Sequence, residues 1–248
     1  MFLEKSKLDN ILSFFMKRIN DLRTLFMALL LQEEQAALHI SEHSSIRSMY
    51  LSERKEFVFG ERYIGDRTFY TDIDISECMD QLFDIEGTLN EIVRILVLKL
   101  AAIHEDYYRA LVSYFLTIKG ETQIDKKVSQ YEKGSPELRL IKFQELFKIN
   151  GLFSSEYKEL NFLFRVRNCV AHTDGIISEK YFKEYSDEQG NLSEYRKHTN
   201  KYGTKIELGE KLVLSEHDFS ELIYLVESVG RCIYFTIIRE SPYVENIS

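Results

Sequence analysis

Residues 165–175 read Arg-Val-Arg-Asn-Cys-Val-Ala-His-Thr-Asp-Gly, and they place an arginine, an asparagine and a histidine within one and a half turns of a helix that ends at glycine. At about 100° per residue, their spacing predicts a helix on which Asn168 and His172 are i,i+4 neighbours on one face. Arg167 lies further round the helix but has a stem long enough to reach that face. Gly175 fits the left-handed position that ends a helix. One helix end therefore presents a guanidinium, an amide and an imidazole, which suit binding a phosphate and moving a proton beside it.

The order of Arg167, Asn168 and His172 resembles the signature of the HEPN superfamily, which is an arginine, a polar residue and then a histidine a few residues later. The small residue before the histidine and the helix end just beyond it add to the resemblance. It extends over residues 90–240 in organisation, and residues 167–172 match closely. The resemblance implies a helical bundle and a homodimer in which two motif helices meet.

Composition agrees with a helical fold. The 248-residue chain has two prolines, eleven glycines and 44% hydrophobic residues, which favours helices and allows a sizeable core. We expect an all-α class overall, with residues 1–248 forming a single HEPN-like domain. The net charge of −8 argues against a surface coated in basic residues for non-specific nucleic-acid binding, but it permits a local basic groove.

Basic residues flank the motif, and such a run is more often a solvated face than a binding surface. They are Arg139, Lys142, Lys148, Lys158, Arg165 and Arg167 before the histidine, and Lys180, Lys183, Arg196, Lys197 and Lys201 after it. Aromatic and basic residues within 176–204 are also able to stack on single-stranded RNA at the mouth of a cleft. The more common alternative is a surface insertion packed on itself.

The N-terminal part of the chain shows a clear helical period. Apolar residues recur at steps of four and three from Leu8 to Ile40, with Glu33 as the exception, which predicts a long helix over residues 1–44 that is buried in a bundle. Residues 45–75 lose this period and become aromatic and polar. They are interpreted as an irregular insertion with short strands.

Core helices, including the motif helix, are predicted over residues 76–175. A capping box at Thr88–Glu91 predicts the start of a long apolar helix, and Gly120 predicts its end. A polar linker is expected over 121–134, followed by a helix with Pro136 in its first turn. The long helix carries His104, Glu105 and Asp106. An acid here is able to orient a catalytic residue, although a solvent-facing polar turn is the more common situation.

The segment after the motif predicts an insertion and a small β-hairpin over residues 176–214. Two alternating runs, 205–208 and 211–214, flank a turn at Gly209. Ser215 and the residues after it then predict a capped C-terminal helix over 215–240.

A helical wheel of the motif segment separates a core face from a second apolar stripe. The core face holds Leu163, Val166, Cys169 and Val170, and the stripe among the motif side chains holds Leu160, Phe164 and Ala171. A monomer would leave this stripe in water, so we expect a second motif helix to cover it in a homodimer. The alternative is that another helix of the same chain, such as 136–149, covers it.

No cofactor and no metal are expected. Cys78, Cys169 and Cys232 form no C-x-x-C pair, which argues against a disulfide framework or a thiolate zinc site and favours a reducing compartment. The N-terminus lacks the features of a signal peptide, and the longest apolar run, 25–31, is too short to span a bilayer. The sequence therefore predicts a cytoplasmic protein with no membrane partner.

The resemblance implies a metal-independent endoribonuclease of a toxin or antiviral defence system. His172 would act as general base on a ribose 2′-hydroxyl, Arg167 would bind the phosphate, and Asn168 would orient His172 or the phosphate. The product would be a 2′,3′-cyclic phosphate. The expected partners are RNA, a second copy of the chain, and an antitoxin or a defence complex. Paired nucleotidyltransferase systems of this family often carry a modified tyrosine at the position of Asp174, which puts that form of regulation in doubt.

Two other functions remain open. In one, the domain binds RNA or a nucleotide without cutting it, as a scaffold subunit of a defence complex. In the other, the protein is a structural helical dimer in which Arg167 pairs with an acidic residue and His172 caps carbonyl groups.

Overall fold

A computed structural model shows a mainly helical chain. It describes residues 2–42, 56–58, 62–64, 67–69, 72–74, 85–134, 136–150, 152, 154–180 and 208–244. The helices over these residues are α1 (Lys5–Glu42), α2 (Ile85–Ile118), α3 (Ile124–Glu132), α4 (Pro136–Phe147), α5 (Ser154–Thr173) and α6 (Glu216–Glu240). In the described part of the chain, no helix combines the length and the apolar character needed to cross a membrane.

The chain divides into two compact units. One comprises Met1–Arg23 with Val93–Ser248, and the other comprises Thr24–Ile92. The single domain proposed from the sequence stays a prediction.

The unit over Thr24–Ile92 contains four short strands within the segment expected to be an irregular insertion. They are β1 (Glu56–Val58), β2 (Arg62–Ile64), β3 (Arg67–Phe69) and β4 (Asp72–Asp74). β1 pairs antiparallel with β4 and β2 pairs antiparallel with β3, so the second hairpin is nested inside the first. Helix α2 begins at Ile85, three residues before Thr88. The predicted cap at Thr88 was therefore wrong, because that residue already lies inside the helix.

The core of the larger unit is built from apolar faces of helices. Leu8, Phe15, Ile19 and Leu22 of α1 are buried, which confirms the period seen in the sequence. Aromatic rings join α2 to α4: the ring centroids of Phe115 and Phe147 lie 4.6 Å apart. Such contacts, together with the burial of aliphatic side chains, supply most of the free energy that holds helices together.

Helix ends follow local sequence rules in most places. Helix α2 ends just before Gly120, as predicted. Gly120 has φ +69° and donates its N–H to the Thr117 carbonyl, while Glu121 donates to the Leu116 carbonyl, which is a Schellman motif. α4 begins at Pro136, also as predicted. The linker expected over 121–134 was wrong, because residues Ile124–Glu132 form α3. One buried side chain, Val128, anchors this short helix, and its other faces are polar.

The chain turns sharply after α5. Asp174 and Gly175 both have left-handed φ values, 52° and 77°, so the helix ends where the glycine predicted. The Gly175 carbonyl accepts a hydrogen bond from the N–H of Leu212, and the N–H of Ile177 donates to Glu210. The first arm of the predicted hairpin is 205–208, and residues 205–207 of it lie outside the described part of the chain. The other arm meets residues 175–177 in an antiparallel bridge between Ile176 and Lys211.

A capping box at the start of α6 allows a first stability prediction. The Ser215 hydroxyl accepts a hydrogen bond from the N–H of Asp218 at 3.1 Å, and the Asp218 carboxylate accepts one from the N–H of Ser215 at 2.9 Å. Ser215→Ala leaves an N–H of the first turn without its cap, so we expect the free energy of unfolding to fall by about 1 kcal/mol in urea denaturation. The control is Ser220→Ala at an exposed position of α6. An equal loss in both variants would contradict the capping role.

Gly230 in α6 is the site of a second stability prediction. A Cβ at this residue would lie 2.7 Å from Cζ of Phe15 and closer still to Cε1. The Phe15 ring is buried and stacks on Tyr107, with 4.3 Å between the ring centroids, so a shift of the ring disturbs that contact. Alanine is the better helix former by about 1 kcal/mol, but overpacking costs about 1–3 kcal/mol. We therefore expect Gly230→Ala to lower the free energy of unfolding by about 1 kcal/mol.

A double-variant cycle tests this contact. Phe15→Leu in the Gly230→Ala background removes the ring that the methyl group meets, so the two substitutions together should cost less than the sum of each alone. If the two changes in free energy of unfolding are strictly additive in urea denaturation, or if Gly230→Ala is more stable than the wild type, α1 and α6 accommodate the methyl group without cost.

Candidate functional site at the end of α5

Helix α5 presents the motif on the face that turns away from the core. Leu163 and Val166 are fully buried and Cys169 is 5% exposed, as the helical wheel predicts. Asn168 and His172 are exposed, and Arg167 is about one-third exposed. The structure thus places the guanidinium, the amide and the imidazole on accessible surface within the last two turns of one helix.

Asn168 contacts Arg167 directly. Nη1 of Arg167 donates a hydrogen bond of 2.9 Å to Oδ1 of Asn168. The resemblance implied that Asn168 orients His172 or the phosphate, whereas the contact in the structure is to Arg167. Because the two residues are adjacent in the chain, this bond limits the directions in which the long arginine side chain points.

Glu105 of α2 is the acid nearest to the motif arginine among the described ion pairs. Its Oε2 lies 4.0 Å from Nη2 of Arg167, and its Oε1 accepts a hydrogen bond of 3.2 Å from Nη1 of Arg139 in α4. Three helices therefore meet at one carboxylate, whose side chain is 26% exposed. Pairs this exposed add little to stability, so their main effect is to place the two guanidinium groups side by side.

Asp106, the next residue of α2, belongs to a different cluster. Its carboxylate pairs with Arg18 of α1 at 2.7 Å and with Arg109 at 3.5 Å. Arg109 is in turn bonded to Glu132 of α3 at 2.8 Å. These ion pairs connect α1, α2 and α3. Of residues 104–106, Glu105 is the one whose side chain approaches a motif residue, Arg167.

His104 lies directly behind the motif helix. Its ring is 2% exposed and meets the ring of Phe164 edge-on, with 5.6 Å between centroids. Burial, and secondarily the positive charge of Arg139, lowers the pKa of His104 from 6.5 to about 4. The imidazole is therefore neutral at pH 7, and its burial denies it contact with a substrate.

The expected exposure of the apolar stripe was wrong. Leu160 is fully buried and Phe164 is 7% exposed within this single chain. The Phe164 ring is covered by His104 of α2 and by the guanidinium of Arg139, whose Cζ lies 5.8 Å from the ring centroid. The alternative, in which a helix of the same chain covers the stripe, is what the structure shows. Ala171 remains exposed, and the homodimer stays a prediction that no longer has this stripe as its support.

A buried arginine supports the end of the motif helix. Arg94 of α2 is 2% exposed, and its Nη1 donates a hydrogen bond of 3.2 Å to the Leu212 carbonyl. A Cβ at Gly175 would lie only 2.9 Å from Cδ of Arg94. Residue 175 is therefore restricted to glycine for two reasons, its positive φ and the close approach of the Arg94 side chain. A cation below a helix C-terminus is favourable. The sequence interpretation missed Arg94, although an arginine within the apolar run 92–98 is a signal for a buried cation.

The remaining candidate groups do not add chemistry. Cys169 is buried, and burial raises the pKa of its thiol, so it is a packing residue and a poor nucleophile. Cys78 lies outside the described residues. Within the ranges that the structure describes, no cluster of His, Cys, Asp and Glu side chains is arranged to hold a metal ion.

Comparison with known proteins gives no assignment. No family model, no curated protein and no solved structure matches this chain. The function is therefore inferred from the residues of the site and from the resemblance of residues 167–172 to the HEPN signature.

Proposed function

We propose that the protein is a metal-independent endoribonuclease whose active site is formed by Arg167, Asn168 and His172. The observation that carries the proposal is the exposure of Asn168 and His172 at the same helix end as an arginine that is hydrogen-bonded to Asn168. An accessible imidazole next to an oriented guanidinium is the minimum set for internal transesterification of RNA.

In the proposed reaction, His172 removes the proton from a ribose 2′-hydroxyl. The 2′-oxygen attacks the adjacent phosphorus, the new 2′-oxygen–phosphorus bond forms, and the bond from phosphorus to the 5′-oxygen breaks. The departing 5′-oxygen takes a proton from water, so the products are a 2′,3′-cyclic phosphate and a free 5′-hydroxyl. RNA supplies both the attacking 2′-oxygen and the phosphate, and DNA is excluded as a substrate because it lacks the 2′-hydroxyl.

Arg167 stabilises the negative charge that grows on the phosphate oxygens. Removing one such hydrogen-bond donor from an oxyanion site raises the activation free energy by about 3 to 4 kcal/mol. Asn168 contributes by holding the guanidinium through its Oδ1, 2.9 Å from Nη1. A fixed donor costs less reorganisation in the transition state than a mobile one.

The test is incubation of purified protein with labelled single-stranded and structured RNA in EDTA, followed by analysis of the product ends. The proposal expects 2′,3′-cyclic phosphate and 5′-hydroxyl termini, and no cleavage of DNA of the same sequence. Cleavage abolished by EDTA, or products with 3′-hydroxyl ends, would overturn this mechanism.

A non-catalytic RNA-binding or scaffold role is the second candidate. It is favoured by the existing contacts of Arg167 with Asn168 and Glu105, which satisfy part of the guanidinium within the chain, and by the net charge of −8. RNA binding with no product at any pH would support this role. The proposed biological setting, under either function, is a toxin or defence system in which the chain forms a homodimer.

A further inference from the structure

Arg139 of α4 is not part of the motif, yet it lies beside the motif arginine. Its Nη1 and the Nη2 of Arg167 approach the two oxygens of the same Glu105 carboxylate, at 3.2 Å and 4.0 Å. Two guanidinium groups that share one carboxylate are close enough to contact neighbouring phosphates of one strand. Three helices supply these side chains, so the arrangement depends on the tertiary structure.

The position of Arg139 is held by contacts of its own. Its Nε donates a hydrogen bond of 3.2 Å to the Gly134 carbonyl, and its Cζ lies 5.8 Å from the centre of the Phe164 ring. The side chain is 27% exposed, and Nη1 of its guanidinium also donates a hydrogen bond of 3.2 Å to Glu105. An arginine with a fixed stem loses little conformational freedom when it binds an anion.

The charge balance of this group favours an anionic ligand. Two guanidinium groups face one carboxylate, which leaves a net positive charge on this group of side chains. Arginine forms paired charge-assisted hydrogen bonds with phosphate as it does with carboxylate, so a phosphate is able to take the place of the carboxylate.

We infer that Arg139 is a second phosphate contact for the RNA strand, next to the scissile phosphate bound by Arg167, and that Glu105 is the counter-ion with which both arginines pair in the absence of RNA. The inference deepens the proposed function, because it concerns RNA binding at the same surface. RNA displaces the carboxylate of Glu105 from Arg167, whose contact with it is the longer of the two.

The test measures binding of a fluorescein-labelled oligouridylate by anisotropy, in the His172→Ala background so that no RNA is consumed. Affinities are taken over about 50 to 200 mM salt, where phosphate contacts show as the slope of log K against log salt. Arg139→Gln is expected to weaken binding about five- to tenfold and to reduce the slope by about 0.7, the contribution of one single-strand phosphate.

Glu105→Gln is the second variant, and its expected effect has the opposite sign. Removing a negative charge beside the bound phosphate should tighten binding about three- to tenfold. A residue that only supports the fold would not tighten RNA binding when replaced. The control is Arg239→Gln on α6, which removes the same charge from a side chain that is 77% exposed, and it should leave the slope unchanged.

The outcomes separate this inference from the proposed function. Three results would each overturn the inference. They are that Arg139→Gln binds RNA as well as Arg239→Gln does, that Glu105→Gln binds RNA no more tightly than its parent, or that the parent does not bind RNA. If the wild-type protein cleaves RNA and Arg139→Gln binds RNA as the parent does, the nuclease proposal stands and the inference about Arg139 fails. If Arg139→Gln weakens RNA binding but the wild-type protein does not cleave RNA, the inference is supported and the nuclease proposal is overturned.

Discussion

Replacement of His172 by alanine is expected to reduce the rate of RNA cleavage by about 10²- to 10⁴-fold, the usual contribution of one general base. The imidazole is exposed at the end of α5, so its removal takes away the proton acceptor without opening a cavity. The free energy of unfolding should change by less than about 0.5 kcal/mol, as for most surface substitutions. The measurement is single-turnover cleavage of labelled RNA in EDTA.

His217 provides a matched control for the loss of a histidine. It lies in the first turn of α6, where its Nε2 is 3.0 Å from Oε1 of Glu221, and its side chain is 40% exposed. His217→Ala should cut RNA at the wild-type rate. If His172→Ala retains that rate as well, the residue is not the base and the assignment of the active site fails.

The stability of the protein is expected to fall by about 3 kcal/mol between pH 6.5 and pH 4 because of His104 alone. The pKa of this buried ring is lowered from 6.5 to about 4 in the folded protein. Between these values the unfolded chain binds a proton that the folded chain excludes, so acid favours unfolding. The contribution is fully present above pH 6.5 and is lost as the pH approaches 4.

His104→Leu tests this dependence, because leucine fills a similar volume and does not titrate. Urea denaturation of the wild type and the variant at a series of pH values isolates the histidine, since the carboxylates titrate equally in both proteins. The difference in free energy of unfolding should grow in favour of the variant as the pH falls from 6.5. A difference that is independent of pH would mean that the folded protein accepts the proton on His104 without cost.

The same acid effect bears on the proposed site. His104 packs against Phe164, and Phe164 also contacts the guanidinium of Arg139. Protonation would place a positive charge behind α5 and beside Arg139. Because a positive charge attracts phosphate, acid should strengthen RNA binding by the folded wild-type protein more than binding by His104→Leu.

Local rules of the sequence account for much of the helical structure. The apolar period of α1, the glycine that ends α2, the proline that starts α4 and the capping box at Ser215 each act over one or two turns. Local rules failed where the signal was weak. The first turn of α2 begins before its predicted cap at Thr88, and α3 forms in a polar segment because a single buried residue, Val128, anchors it.

The sequence by itself determined the helical class and the placement of Arg167, Asn168 and His172 on one accessible helix end, because residues three to five apart on a helix have a fixed angular relation. It could not determine what covers Leu160 and Phe164, since that depends on which helices pack together. Only the tertiary structure brought Glu105 and Arg139 to the motif and set Gly230 against Phe15. These contacts join residues far apart in the chain, and no local propensity or spacing encodes the choice of partner.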